Sequence, residues 1–304
     1  MTRVLVTGAT GFLGRQVVPA LVRAGVEVHA VTSGVSREDE DHDARWHRAD
    51  LLDRERMVSV VNSVKGDTLL HLAWFAKPPH YWHDLDNIRW TAASLELARA
   101  FVAAGGTRIV AAGTCAEYDW RSGYCVEAST PIAPASLYGA SKAAFGGLLQ
   151  VFAAEAGIEA AWARLFFLFG PNDAPSRLVP SLITRLHAGE VAVCTSGSLL
   201  RDYLYVTDAA EAMVALSATH VTGAVNVASG VPVAISTIAS AIARHMRRPD
   251  LLRLDDGSSD YPLVAARVER LTREVGWRPR FDLETGLDET IRWWTSPGAR
   301  TAVA

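Results

Sequence analysis

The chain has 304 residues, 49% of them hydrophobic and 21% charged, with a formal net charge of -3. That length holds one large domain or two ordinary ones, with a core that needs no metal or disulfide staple. The slight acidic balance excludes the basic excess of a nucleic-acid binder. No apolar run reaches the length of a membrane span, since the strongest, residues 160–170, is short and carries Arg164.

Residues 4–6 are a β-rich run that opens the chain with no leader ahead of it, and a glycine turn follows. Residues 12–24 predict a helix, because Leu13, Val17, Ala20, Leu21 and Ala24 recur at helical spacing, and Gly25 ends it. A strand is expected at 26–31, then a solvated loop or frayed helix over the charged segment 36–48. Helices at 54–64, 85–104 and 136–156 alternate with strands at 68–72, 108–112 and 158–165. Such alternation implies parallel βαβ units, hence an α/β fold: a doubly wound, Rossmann-type parallel sheet. After Gly170 the rhythm changes, with Pro171, Pro175 and Pro180 breaking the chain and helices expected at 180–188, 207–218, 235–246 and 283–294. The expected division is a dinucleotide-binding domain over 1–170 and a smaller α/β substrate lobe over 171–304, with chain exchange between them. Cys115, Cys125 and Cys194 are odd in number and lack metal-ligand spacing, so they read as free thiols of a reducing compartment, the cytoplasm.

Two motifs carry chemistry. Gly8-Ala9-Thr10-Gly11-Phe12-Leu13-Gly14 lies between a strand and a helix. Glycines there permit a tight turn and close backbone approach to a pyrophosphate, and the helix start supplies unpaired N–H groups and a positive dipole end. A turn whose glycines serve backbone geometry alone is the competing reading. Tyr138 and Lys142 stand four apart on a predicted helix and share a face. A nearby ammonium favours the phenolate and lowers the tyrosine's pKa, which suits acid–base work. Alone, this pair reads as a solvated helix face; beside the glycine turn it reads as catalytic.

With these motifs in place, the whole chain resembles an extended short-chain dehydrogenase/reductase of the nucleotide-sugar epimerase, reductase and dehydratase subgroup. Thr7 to Gly14 resembles that family's T-G-A-T-G-F-x-G loop, and Asp50-Leu51 its adenine-contacting pair. His71-Leu72-Ala73 resembles the segment beside the cofactor, and Asn87 the asparagine ahead of a long helix. Gly170-Pro171, Arg201 to Val206 and Gly276-Trp277-Arg278-Pro279 resemble later family elements, with Phe169 in place of a tyrosine. The resemblance implies a catalytic triad of Thr114, Tyr138 and Lys142, with Gly113 replacing the family's preceding serine. It also implies a homodimer through the helices 85–104 and 136–156. His80 and His83 are spaced like ligands, but no carboxylate or cysteine pattern supports a metal.

Missing residues narrow the reaction. The family's 4,6-dehydratases place an Asp–Glu pair where Cys115-Ala116 stands, so elimination of water lacks its acid. Its epimerase-reductases need a cysteine and a histidine where Ala116 and Arg177 stand. Simple hydride transfer at a sugar carbon remains. Members that bind NAD carry an Asp at the end of the second strand; here the position is Thr32, followed by Ser33, with Arg37 along the loop. This favours NADP, with NAD as the alternative. The expected function is NADPH-dependent reduction of a 4-keto group on a nucleotide-linked 6-deoxyhexose. The alternative is an NAD-dependent nucleotide-sugar 4-epimerase, and a non-catalytic cofactor-sensing regulator comes third. Expected cofactor contacts are Gly8, Thr10, Gly11, Phe12, Leu13, Gly14, Thr32, Ser33, Arg37, Asp50, Leu51, Leu72, Ala73, Tyr138 and Lys142. Arg177 and Arg201 are candidates for the substrate's diphosphate, because a guanidinium binds phosphate in two places at once. Trp74 opens an aromatic segment (Phe75, His80, Tyr81, Trp82, His83) expected to shape the sugar pocket, or else to pack. Trp74 and Thr114 complete the expected substrate contacts.

Overall fold

The computed structural model describes residues 2–34, 43–76, 78, 80–255, 257 and 259–297. The first half runs β1 (Arg3–Thr7), α1 (Gly14–Arg23), β2 (Glu27–Thr32), β3 (Arg45–Arg48), α2 (Arg54–Val64), β4 (Thr68–His71), α3 (Asp86–Ala103), β5 (Arg108–Thr114), β6 (Tyr124–Cys125), α4 (Leu137–Ala156) and β7 (Glu159–Leu165). The second half runs β8 (Phe167–Phe169), α5 (Leu178–His187), β9 (Ala192–Cys194), β10 (Leu200–Tyr205), α6 (Val206–Ser217), β11 (Gly223–Val227), β12 (Pro232–Ala234), α7 (Ile235–His245), β13 (Leu252–Leu254), β14 (Leu263–Ala266), α8 (Glu269–Arg273) and α9 (Leu283–Thr295).

Seven strands form one parallel sheet in the order β11-β7-β5-β4-β1-β2-β3. Both faces are buried, so Val4, Leu5 and Val6 of β1 are apolar in succession rather than alternating. Val4 and Val6 pack under α1 and α6, while Leu5 packs under α2, α3 and α4. Each such fully buried side chain contributes roughly 1.5–3 kcal/mol. Strand β11 returns from beyond residue 170 to pair with β7. A second sheet, β12-β10-β14-β6 with β8 beside β10, carries a separate apolar core under α5, α7 and α9.

The charged segment 36–48 contains a strand where a loop or frayed helix was expected. β3 is an edge strand whose residues are exposed or half-buried, so no apolar pattern marks it, and backbone pairing with β2 makes it. Residues 35–42, Arg37 among them, lie outside the described residues.

Candidate active site

A cleft of about 730 Å³ opens at the carboxyl ends of the large sheet's strands. Its floor is the glycine turn, with Gly8, Gly11, Phe12, Leu13 and Gly14 in the lining. Gly8 holds φ +70° and its missing Cβ would meet the Ala73 backbone at 2.7 Å. A Cβ on Gly14 would stand 2.1 Å from the Gly8 carbonyl oxygen. These approaches let α1 start directly beneath the turn, and no side chain caps that start. A helix N-terminus left open in this way fits the pyrophosphate of a dinucleotide. Thr32, Ser33, Asp50 and Leu51 follow at the ends of β2 and β3, where the Thr32 and Thr10 hydroxyls share a hydrogen bond of 3.0 Å. Asp50 is exposed and its Oδ1 accepts from the Leu52 amide. Leu72 and Ala73 line the opposite edge of the turn.

The three triad candidates meet at the head of α4. Ser136 caps that helix by accepting from the Gly139 amide at 3.1 Å. Gly139 lies so close to the turn 115–117 that a Cβ would be 2.3 Å from the Ala116 carbonyl oxygen. That approach brings Tyr138 to the end of β5, where its hydroxyl comes within reach of the Thr114 side chain. The Thr114 hydroxyl also accepts from the Ala116 amide at 3.2 Å, which caps the short turn that follows. Gly113 stands where the family has a serine because the Trp162 indole occupies the space, 2.5 Å from a built Cβ.

Burial pushes the Tyr138 phenol up, a push that Tyr81 reinforces and that the Thr114 hydrogen bond and Arg177 oppose. Lys142 is held by partners of its own. Its ammonium donates to the Ala112 carbonyl at 2.7 Å and lies 3.9 Å from the centre of the Trp74 ring. Burial holds Lys142 itself down, to about 7. Burial thus favours the protonated form of the phenol.

Trp74 is fixed from behind, its Nε1 donating to Asn87 Oδ1 at 2.9 Å. Asn87 Nδ2 in turn donates to the Tyr81 and Asp84 carbonyls. One asparagine thus ties Trp74 to the aromatic segment. Tyr81 and Trp82 set their rings edge-on to Tyr138, with centres 4.9 and 5.7 Å apart. His71 is buried between the Thr7 and Ser94 hydroxyls at 2.7 and 2.9 Å, and burial pushes it down to about 3, so it stays neutral. Glu117 is turned away from the cleft, where it accepts from the Thr114 amide, Trp162 Nε1 and Arg164 Nε. Among the described residues no cluster of ligands would hold a metal, and no helix is long and apolar enough to cross a membrane.

The two arginine candidates separate. Arg177 lines the cleft, its Nε 3.5 Å from Asp173 Oδ1. Arg201 does not line it. Its Nη1 donates to the Leu200 and Pro262 carbonyls, and its guanidinium lies 5.8 Å from the Phe167 ring centre. Nor is Arg201 bonded to Asp202, which accepts instead from Ser229, Gly230 and Ala266. Sequence reasoning missed Asp173. Its only local sign was an Asn-Asp pair directly after the Gly170-Pro171 turn.

The model of the NAD-dependent epimerase/dehydratase family matches residues 4–228. A UDP-glucose 4-epimerase of Streptomyces lividans is 32% identical over 233 residues, covering 68% of this chain and 69% of that protein. MoeE5, solved with UDP-glucose and NAD, superposes with a TM-score of 0.84 at 28% identity, over 99% of this chain and 100% of that one. The UDP-glucose 4-epimerase of Thermus thermophilus, solved with NAD, shares the fold with a TM-score of 0.86 at 24% identity, over 96% of this chain and 99% of that one.

Proposed function

Because this chain belongs to the NAD-dependent epimerase/dehydratase family and is an NAD(P)-dependent nucleotide-sugar enzyme, we propose that it reduces the 4-keto group of a nucleotide-linked 6-deoxyhexose with NADPH. The observation that carries the choice is the end of β2. Thr32 stands there, hydrogen-bonded to Thr10, at the position from which a carboxylate would repel a ribose 2′-phosphate.

When bound, the nicotinamide dinucleotide supplies the hydride. The turn from Gly8 to Gly14 and the start of α1 hold its pyrophosphate, and Asp50 and Leu51 its adenine. Leu72, Ala73 and Lys142 face the nicotinamide ribose. Thr114 hydrogen-bonds the ketone oxygen, and Tyr138 gives it a proton as negative charge develops, so ketone, hydride and proton close to an alcohol. Tyr81 and Trp82 exclude water from Tyr138. Arg177 presents its outward N–H groups to the diphosphate. Two chains pair through α3 and α4, and the three free cysteines, all buried, fit the cytoplasm. A 4-epimerase with retained NAD is the second reading, favoured by the Streptomyces lividans relative.

The test is the loss of reduced-nicotinamide absorbance when nucleotide-linked 4-keto-6-deoxyhexoses are supplied with NADPH or NADH. Stoichiometric loss of NADPH is expected. No loss, with NAD held tightly by the purified protein, would overturn the reductase in favour of the epimerase.

A further inference from the structure

The turn that follows β8 carries a carboxylate that the chemistry above does not use. Asp173 is 2% exposed yet belongs to the wall of the cleft. Its backbone is staked in place on one side by Asn172, which holds a left-handed φ of +64° and accepts from Arg15 Nη1 at 2.7 Å. Asp173 Oδ1 accepts from the Ala174 amide at 2.8 Å and faces Arg177 Nε at 3.5 Å. The hydrogen bonds of the described residues place no donor on Oδ2, and Asp173 is part of the cleft lining.

A carboxylate oxygen held in a mostly buried place without a donor is costly, and the favourable occupant of the cleft is one that supplies the donor. The chemistry of the donor is constrained. A phosphate would be repelled. Asp173 and Arg177 together are neutral, which matches a neutral O–H better than a cation. We propose that Asp173 is a specificity-determining residue that accepts a hydrogen bond, through Oδ2, from a hydroxyl of the substrate's hexose ring away from the reacting carbon. Arg177 then takes the diphosphate and Asp173 reads the sugar, each from the same short turn. Sites built to bond a hydroxyl discriminate sharply against its absence, because the buried partner is left unpaired.

This inference rests on the nucleotide-sugar reading but not on the direction of the reaction, so its test is binding. Protein saturated with NADP⁺ is titrated calorimetrically with UDP-glucose and dTDP-glucose, with the monodeoxy analogues of each, and with the analogues in which an amino group replaces one hydroxyl. The proteins are wild type, Asp173→Asn and Asp173→Ala. We expect Asp173→Ala to weaken the hydroxylated sugar about 10- to 100-fold, the worth of a hydrogen bond to a charged group. One deoxy analogue should bind wild type equally weakly and lose nothing further in the variant, and Asp173→Asn should lose most of the effect with unchanged melting and cofactor affinity. A loss shared equally by every analogue would mean that Asp173 only holds Arg177, and would overturn the proposal while leaving the nucleotide-sugar reading intact. Tighter binding of an amino analogue than of its hydroxyl parent would overturn it in favour of a cation site. No binding of any nucleotide-linked hexose would overturn both.

Discussion

The Lys142 ammonium lies 3.9 Å from the centre of the Trp74 ring and donates to the Ala112 carbonyl at 2.7 Å, in a place that is 3% exposed. The indole face and one carbonyl are weaker compensation than water, and burial therefore pushes this lysine down to about 7 from its ordinary 10.5. Between those two values the native protein binds fewer protons here than the unfolded chain does. Stability contributed by this group rises with pH across that window, by at most about 1.4 kcal/mol per pH unit. Thermal melts of the cofactor-free protein and of Lys142→Met, taken from pH 7 to 9, should show the wild type gaining on the variant. Parallel curves would mean that the lysine keeps its proton.

Tyr138→Phe should lower turnover by a factor on the order of 10² to 10⁴ while cofactor affinity is unchanged. Thr114→Val should lower it roughly 100- to 1,000-fold. The valine also removes the cap on the turn 115–117, at about 1 kcal/mol. Thr114→Ser restores both the hydroxyl and the cap, so rescue by serine separates the chemical role from packing. Steady-state kinetics with circular-dichroism melts decide it, and full activity in Tyr138→Phe would remove that residue as the acid.

Thr32→Asp places a carboxylate beside Thr10 at the end of β2. If the ribose 2′-phosphate lies there, the KM for NADPH should rise at least about tenfold relative to that for NADH, which corresponds to some 1.4 kcal/mol. An unchanged ratio of the two KM values, in a variant that melts like the wild type, would move the cofactor preference away from NADP.

Helices α3 and α4 lie side by side and leave Ile88, Leu148 and Val151 exposed at 57%, 53% and 63%. A second copy laid on this face would cover them. Light scattering should give twice the chain mass for wild type and the single mass for Leu148→Glu with Val151→Glu. A wild type that runs as a single chain at every concentration would end the dimer proposal.

Much of this was legible because it is local. The glycine turn, the helix starts at Asp53 and Ser136 and the spacing of Tyr138 and Lys142 are each set within a few residues, so chain order alone exposes them. The strand β3 was not legible, because an edge strand of charged residues is made by its neighbour and carries no apolar pattern of its own. Arg201 and Arg177 look alike in sequence, yet one is held by backbone carbonyls and the other faces the cleft. Which of two arginines is available depends on what lies beside each, and those neighbours come from distant parts of the chain.

The sequence by itself determined the parallel α/β architecture, the glycine turn and the spacing of Tyr138 and Lys142, because periodicity and turn chemistry are short-range, while Thr114 followed from the family resemblance. Only the tertiary structure decided the state of those groups. The Thr114–Tyr138 contact depends on Gly139 pressing against Ala116, 23 residues earlier in the chain. The turning of Lys142 towards Trp74 depends on an indole 68 residues away. The bracing of the turn that carries Asp173 depends on Arg15, 157 residues from Asn172 in the chain. Burial and partner geometry set proton affinity, and both are properties of the packed molecule rather than of any stretch of chain.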